Sequence, residues 1–594
     1  MATTFAVLAV IVPLMDTSTL AYIAAGVFGA AIWGWRTKER PTTFGSADWL
    51  APWVASKKGM FRKGGLMLGD WTGLLPVYYR GSGHILTVAP TGSGKGTSAI
   101  VPNLLQHPWI FLIDPGGENT AIAARAWREK GYAFHCLNPW GMLTAAPWSL
   151  PSHSINPLSI LDPASETFSS DAELIADMIV TRTGNENGSS AYFKEEAKTG
   201  IRAFLMHIVT TEPSERQTLL TLRKYISADS ENWERLLKNM QANEAAGGFI
   251  AREAVQLERR ETQATEEFSA ILSTMKQDTN FIEDPVMQRA LATSTVELSE
   301  LKGFRNGTAL NGCVVSVVMP LEYLETHAAY ARLIVGCALW TMQKAPLSKG
   351  RVLFVMDEFP ALKRMDRIAG GLATLRKYRV WLWPVIQNLG QLKQLYGQNW
   401  QTFISNAGLR QFIGAGDLET AQYISELCGD GTIEVVTRTP GGESISQTQR
   451  RLATVEEVMH IESKAQIVFV DNLKPILLRK TEYWQRPALR GHFNRNPYQS
   501  GTPALDTRSP FRTVQGLGLR FCAWIAGPSP VVMAVLCFWL ANAAGLGISL
   551  VPWVHSQNGV CTYLTTHGAL DYPMRDYDGQ QGCSRIAFNL GYGQ

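Results

Sequence analysis

No two of the eight cysteines, at 136, 313, 337, 428, 522, 537, 561 and 583, stand in a C-x-x-C pair, which excludes the usual zinc frameworks. The central ones read instead as small buried hydrophobes. Net charge is only +4 over 594 residues. The chain therefore carries no global basic footprint for nucleic acid, and contact with DNA has to come from local patches or from an assembled ring. There is no low-complexity tract and no repeat of 20–50 residues, which excludes solenoids and disordered arrays. The N-terminus has no basic stretch ahead of its apolar run and no A-x-A site, which argues against a cleaved secretory signal. What is plentiful is apolar: 46% of residues are hydrophobic and 18 are Trp. That composition suits a globular core with membrane segments, and the length allows two or more domains.

Two runs near the ends read as membrane segments. Leu20–Trp35 is apolar and is followed at once by Arg36, Lys38 and Arg40. A shorter run, Phe5–Met15, precedes it and falls short of the roughly 20 residues a helix needs to span. The pair is either a hairpin or one span with an interfacial lead-in. Val531–Val551 is uncharged, lies between Pro530 and Pro552, and is long enough to cross. Arg512 and Arg520 lie before it and no Lys or Arg follows until Arg575. The positive-inside rule thus puts the central body in the cytoplasm and the tail across the membrane. Cys561 and Cys583 in that tail either remain free or pair, closing a loop of roughly 20 residues worth about 3 kcal/mol.

The most informative stretch is residues 84–98, HILTVAPTGSGKGTS. An apolar run, His84–Val88, feeds Ala89, Pro90, Thr91, Gly92, Ser93, Gly94, Lys95, Gly96, Thr97 and Ser98, then a helix-compatible run. Strand, glycine-rich loop, lysine and helix form a phosphate cradle. Small residues let backbone N–H groups close on phosphate oxygens, the helix start adds positive dipole, and Lys95 places a charge on the β/γ-phosphates. Ala89 stands where the first glycine of G-x-x-x-x-G-K-[ST] belongs, and Gly96 where a magnesium-holding hydroxyl belongs. Thr97 or Ser98, or a water, must then supply that oxygen.

Val352–Met356 is a continuous apolar run ending in Asp357-Glu358. Such runs read as central strands buried on both faces, and acids at their carboxyl ends lie where α/β sheets place ligands. Asp357 suits magnesium; Glu358 suits activation of the attacking water. Val380–Ile386 ends in Gln387, a position from which a polar side chain can sense a γ-phosphate. Trp109–Ile113 ends in Asp114, and Phe134–Leu137 adds a further strand. Strands alternating with helical stretches predict an α/β doubly wound, mostly parallel sheet.

These blocks, in this order, resemble the type IV secretion coupling proteins, the ATPases of conjugation, over roughly residues 42–490. Thr43-Phe44-Gly45-Ser46-Ala47-Asp48-Trp49 looks like the family's short motif. Gly83–Gly96 is similar to its nucleotide loop, glycine after the lysine included. Asp114–Glu118 is similar to D-P-K-G-E with Gly116 in place of the lysine, and Leu353–Leu362 and Pro384–Leu395 continue the likeness. The resemblance implies a RecA-like P-loop ATPase using ATP and Mg2+. It implies Lys95, Glu358 and Gln387 as catalytic groups, Thr97 and Asp357 at the metal, and Arg376 as a finger reaching a neighbour's γ-phosphate in a hexameric ring. Read by itself, Arg376 is a solvated residue of RKYR.

The resemblance also implies an all-α domain between the nucleotide motifs. Residues 166–298 are rich in helix formers, with helix starts at Ser230 and at Asp284-Pro285. The expected layout is an anchor at 1–40, nucleotide-binding parts at 41–165 and 299–495, a linker at 496–528, a C-terminal transmembrane helix at 529–554 and a periplasmic tail at 555–594. The implied protein is a multi-pass bacterial inner-membrane ATPase with a cytoplasmic body. It would bind single-stranded DNA on a relaxase, or effector proteins, and pass them to inner-membrane components of a type IV secretion machine. A nucleotide-dependent scaffold that does not pump, and a chromosome-segregation DNA translocase, are the alternatives.

Overall fold

In a computed structural model of the chain, the described residues are 42–499, apart from 74, 183–187, 440 and 441, together with the short stretches 547–548, 556–557, 560–565, 568–573 and 588–589. The chain divides into two units, Met1–Ala504 and Leu505–Gln594.

The first unit is organised by one sheet. Its strands in chain order are β1 (Leu66–Trp71), β2 (Leu75–Tyr79), β3 (His84–Val88), β4 (Trp109–Pro115) and β5 (Ala133–Leu137). After a small ribbon of β6 (Phe304–Arg305) and β7 (Thr308–Ala309) come β8 (Cys313–Met319), β9 (Val352–Met356), β10 (Val380–Ile386) and β11 (Ala407–Phe412). A second ribbon, β12 (Asp430–Thr439) with β13 (Gly442–Arg451), precedes β14 (Ala465–Val470) and β15 (Ile476–Arg479). The 11-stranded order is β2-β1-β15-β14-β11-β3-β10-β9-β4-β8-β5. From β11 to β5 every neighbouring pair is parallel; β14, β15, β1 and β2 extend one edge antiparallel.

Alternation along the central strands explains their all-apolar sequences. Phe111 and Ile113 of β4 and Phe354 and Met356 of β9 face one core; Ile110, Leu112, Leu353 and Val355 face the other. Phe111 and Phe354 stack at 4.7 Å between ring centroids. Helix Glu118–Glu129 covers the second face through Ile122, Ala123 and Trp127, and helix Ala328–Lys344 covers the first. A parallel sheet needs both faces covered, so the expected doubly wound, mostly parallel α/β sheet is what forms.

Between β5 and β8 the chain is mostly helical, from Phe168–Ile179 to Pro285–Ala290. Its apolar residues join the first-face core without a break. Buried Arg332 fastens the junction: its Nε donates to Met178 O at 2.9 Å and its Nη2 to Ile179 O at 3.1 Å, capping the carbonyl end of helix Phe168–Ile179. Helix Ser230–Gln241 is capped by Asp229, which accepts from Asn232 N at 2.9 Å, and not by Ser230. Asp284 caps the Pro285 helix as expected.

Glu253, on helix Ala245–Gln263, is buried, and among the described residues its Oε1 has no hydrogen-bond partner. Burial raises its carboxyl to about 7, with Arg260 pulling the other way. Between the ordinary carboxylate value and pH 7 the folded state holds a proton that the unfolded state has released, so stability falls as pH rises through that window. Thermal unfolding should therefore show wild type losing up to about 3 kcal/mol between pH 4.5 and 8 at this site, and Glu253→Gln losing that much less. Equal pH slopes would refute the assignment.

The Thr43–Trp49 motif lies along the second ribbon. Ala47 N donates to Asp430 O at 3.0 Å and Phe44 N to Thr432 Oγ1 at 2.9 Å. Gly45 has φ +148°, and a Cβ on it would lie 2.1 Å from Asp430 O, so only glycine allows this approach.

Among its described residues the second unit has short antiparallel pairings, Gly547–Ile548 with Phe588–Asn589 and a three-stranded set at Ser556–Gln557, Val560–Thr565 and Gly568–Pro573. Among the described residues no helix is long and apolar enough to cross a membrane, which overturns the expected multi-pass inner-membrane placement. Leu20–Trp35 and most of Val531–Val551 lie outside the described residues. The described part of the latter, Gly547–Ile548, is strand and not the expected helix. Apolar length, which the expectation rested on, does not by itself choose helix over strand. The question of a Cys561–Cys583 bond lies outside the described residues as well; Cys136, Cys313, Cys337 and Cys428 are free and buried, as their sequence setting implied.

Candidate active site

The carboxyl ends of β3, β9, β4 and β10 converge on one edge of the sheet. After β3, Ala89 N donates to Ile386 O at 2.8 Å, continuing the β3–β10 ladder. Ala89 is not in the left-handed region, so it has no need to be glycine, and the first departure from the phosphate-loop pattern has a physical reason. Gly92 and Gly94 do lie there, at φ +74° and +81°, and turn the loop through Pro90, Thr91 and Ser93 into the helix that starts at Gly96. Thr97 Oγ1 and Ser98 Oγ both donate to Gly94 O, at 3.2 and 2.7 Å. Ser98 is buried and Thr97 partly open.

Lys95 leaves the loop toward β9. Its Nζ lies 2.8 Å from Asp357 Oδ1 and 3.5 Å from Glu358 Oε2. Burial works against its charge, but the two carboxylates outweigh burial and hold the ammonium above its ordinary value. Glu358 has φ +72°, a left-handed conformation costly for a side chain with a Cβ. That turn of the backbone aims its carboxylate back at the loop, where Oε1 accepts from Gln387 Nε2 at 3.1 Å. Gln387 N in turn donates to Gln391 Oε1 at 2.8 Å, on the helix capped by Asn388. Lys95, Asp357, Glu358 and Gln387 are thus brought together. Asp357 is the nearer carboxylate partner of Lys95 in this cluster.

Two groups at this edge went unread in the sequence. Asn119, in the first turn of helix Glu118–Glu129, donates through Nδ2 to Asp114 Oδ1 at 2.9 Å and to Asp357 Oδ2 at 3.0 Å. Fully buried Asp114 also accepts from Thr120 N at 2.7 Å; burial raises it to about 7 against those hydrogen bonds. Lys480, just past β15, donates to Ser93 O at 2.8 Å. The only sequence signal for Asn119 is its place one residue after the D-P-x-G-E run; Lys480 has none.

Arg376 does not join this cluster. It precedes β10, at the opposite edge of the sheet, and lines an open cavity of about 770 Å3 with Trp400, Arg410, Tyr423 and Asp471. Trp400 and Tyr423 meet edge to face at 6.0 Å.

A phosphate loop ending β3, paired acids ending β9 and a polar residue ending β10, all on a mostly parallel sheet, define a RecA-like α/β NTPase fold. The family described as "Type IV secretory system Conjugative DNA transfer" matches residues 48–504, and the chain belongs to it, among the type IV secretion coupling proteins. The type IV secretion system-coupling protein VirD4 of Bartonella quintana is 26% identical over 436 residues, 70% of this chain and 65% of that one. VirD4 of Bartonella henselae is 25% identical over 524 residues, covering 82% and 78%. The conjugal transfer protein TraG of Agrobacterium fabrum is 26% identical over 449 residues, covering 72% and 64%. The chain thus spans about two thirds to four fifths of these relatives' lengths. Among solved structures, the bacterial conjugative coupling protein TrwBdeltaN70 superposes with a TM-score of 0.57 at 14% identity, covering 79% of this chain and 97% of that one. TrwB in complex with ADP and Mg2+ superposes with a TM-score of 0.55 at 14% identity, covering 75% and 96%.

Proposed function

We propose that the chain is an ATP-hydrolysing coupling protein that brings relaxase-bound single-stranded DNA, or protein effectors, to a type IV secretion channel. The observation that carries this reading is the unbroken chain of contacts from Lys95 through Asp357 and Glu358 to Gln387. A simple phosphate-binding loop needs no second acid held in a strained conformation beside a polar sensor. The relatives' coupling and transfer functions, and TrwB's complexes with ADP and Mg2+ and with an ATP analogue, support it.

In this reading residues 89–98 hold ATP, with Lys95 moving from Asp357 to the β/γ-phosphates. Asp357 and the Thr97 hydroxyl would hold Mg2+, which when bound would supply positive charge against the phosphates. Glu358 takes a proton from the attacking water, and Gln387, bonded to Glu358, reports the γ-phosphate to the helix it begins. Arg376, at the far end of β10, serves a neighbouring copy in a hexameric ring. The helices within 166–298 form the all-α part that meets cargo, and a basic channel would track the DNA backbone without reading sequence.

The test is ATP hydrolysis by the chain over a range of protein concentrations, with and without single-stranded DNA, with Lys95→Ala as control. Expected are turnover per chain that climbs with concentration, stimulation by DNA, and none of it in the variant. Nucleotide binding without turnover at any concentration would replace this reading with the non-pumping scaffold.

A further inference from the structure

Gly96 removes the hydroxyl that a phosphate loop normally offers to magnesium, and the structure puts another oxygen beside the gap. An ideal Cβ on Gly96 would lie 3.4 Å from Asn119 Oδ1, its nearest neighbour. The amide orientation of Asn119 is fixed by chemistry: the Nδ2 side meets two carboxylates, Asp114 at 2.9 Å and Asp357 at 3.0 Å. A carbonyl oxygen turned to either would repel it, so Oδ1 must face the loop. Asn119 is only 5% exposed, and among the described residues nothing donates to this oxygen. Thr97 and Ser98, the hydroxyls that follow, both turn back to Gly94 O.

We propose that Asn119 Oδ1 is a magnesium-holding oxygen of the nucleotide site, direct or through one water, in the place a hydroxyl at position 96 would fill. A neutral carbonyl oxygen is a suitable partner for a hard divalent cation. The same amide keeps Asp357, the acid assigned to that metal, at fixed separation from Asp114. The inference rests on the ATPase reading and adds a second element of the fold, the helix after β4, to the ion's surroundings.

The experiment is calorimetric titration of ADP into the full chain, in Mg2+ and in EDTA, for wild type, Asn119→Ala, Thr97→Ala and the double variant Asn119→Ala/Gly96→Ser. Wild type should bind ADP more tightly with Mg2+. Asn119→Ala should lose at least tenfold of that gain while matching wild type in EDTA. The double variant should recover the gain, because Gly96 is not left-handed and has room for the serine. An Asn119→Ala protein that keeps the whole gain, or a gain lost only in Thr97→Ala, overturns the proposal alone. So does a loss that Gly96→Ser fails to restore, which would leave Asn119 as a spacer between carboxylates. A wild type with no gain from Mg2+ overturns the ATPase reading together with it.

Discussion

Arg376→Ala is expected to cut ATP turnover by about a thousandfold while leaving nucleotide affinity unchanged. The reason is where the side chain sits. Arg376 is exposed just before β10, a strand of seven residues. At about 3.3 Å per residue, β10 puts some 20 Å between Arg376 and the site at its other end. β10 is parallel to its neighbour β3, with Ile386 opposite Val88, so the full length of the strands separates Arg376 from Lys95 of the same chain. It can stabilise charge on a γ-phosphate only across a subunit boundary. Mixing chains tests this directly. Arg376→Ala keeps an intact loop and lacks the finger; Lys95→Ala keeps the finger and lacks a working loop. Each alone should be inactive, and an equimolar mixture should regain turnover at the mixed interfaces. Full activity in Arg376→Ala, or no recovery on mixing, would move Arg376 out of the nucleotide site. Its cavity with Trp400 and Arg410 would then need another occupant.

The parts of this fold that could be read from sequence are those where one strand states its own environment. β3, β9 and β10 run from His84 to Val88, Val352 to Met356 and Val380 to Ile386, the bounds of the apolar runs themselves, because burial on both faces leaves no room for polar residues. The antiparallel edge gave no such signal. β15 alternates, with Leu477 and Arg479 exposed, and β1 and β2 are broken by a turn. Likewise Asp357, Glu358 and Gln387 were legible because they directly follow recognisable strands, and Lys95 because it closes a glycine-rich loop after one. Asn119 and Lys480 were not. Asn119 acts by bridging acids on β4 and β9, and Lys480 by reaching Ser93 across 387 positions. Juxtapositions of that kind exist only after the sheet has ordered its strands as β9 beside β4 and β15 three places from β3. The apolar run at 531–551 shows the opposite limit: hydropathy measured its length, but Gly547–Ile548 within it is extended.

Glu358→Gln should lower turnover by about a thousandfold as well, with a different signature. Gln keeps the size of the side chain and can still meet Gln387, but it cannot take a proton. ATP should therefore bind with near wild-type affinity and persist unhydrolysed, whereas Lys95→Ala should weaken binding too, because it leaves Asp357 facing phosphate without a cation. The backbone supplies an independent check. Glu358 sits at φ +72°, where a residue with a Cβ costs about 1 kcal/mol or more. Glu358→Gly removes that strain together with a half-buried ion pair whose 3.5 Å separation makes it the weaker of the two that Lys95 forms, the other being 2.8 Å to Asp357. Its thermal midpoint should hold or rise while its hydrolysis is lost as fully as in Glu358→Gln. Stability and activity would then move in opposite directions at one position, as expected of a side chain kept for its reaction and not for the fold. A Glu358→Gly protein that unfolds earlier, or a Glu358→Gln protein that still turns over ATP, would instead make Glu358 a structural clamp on Lys95 and leave the attacking water to another base.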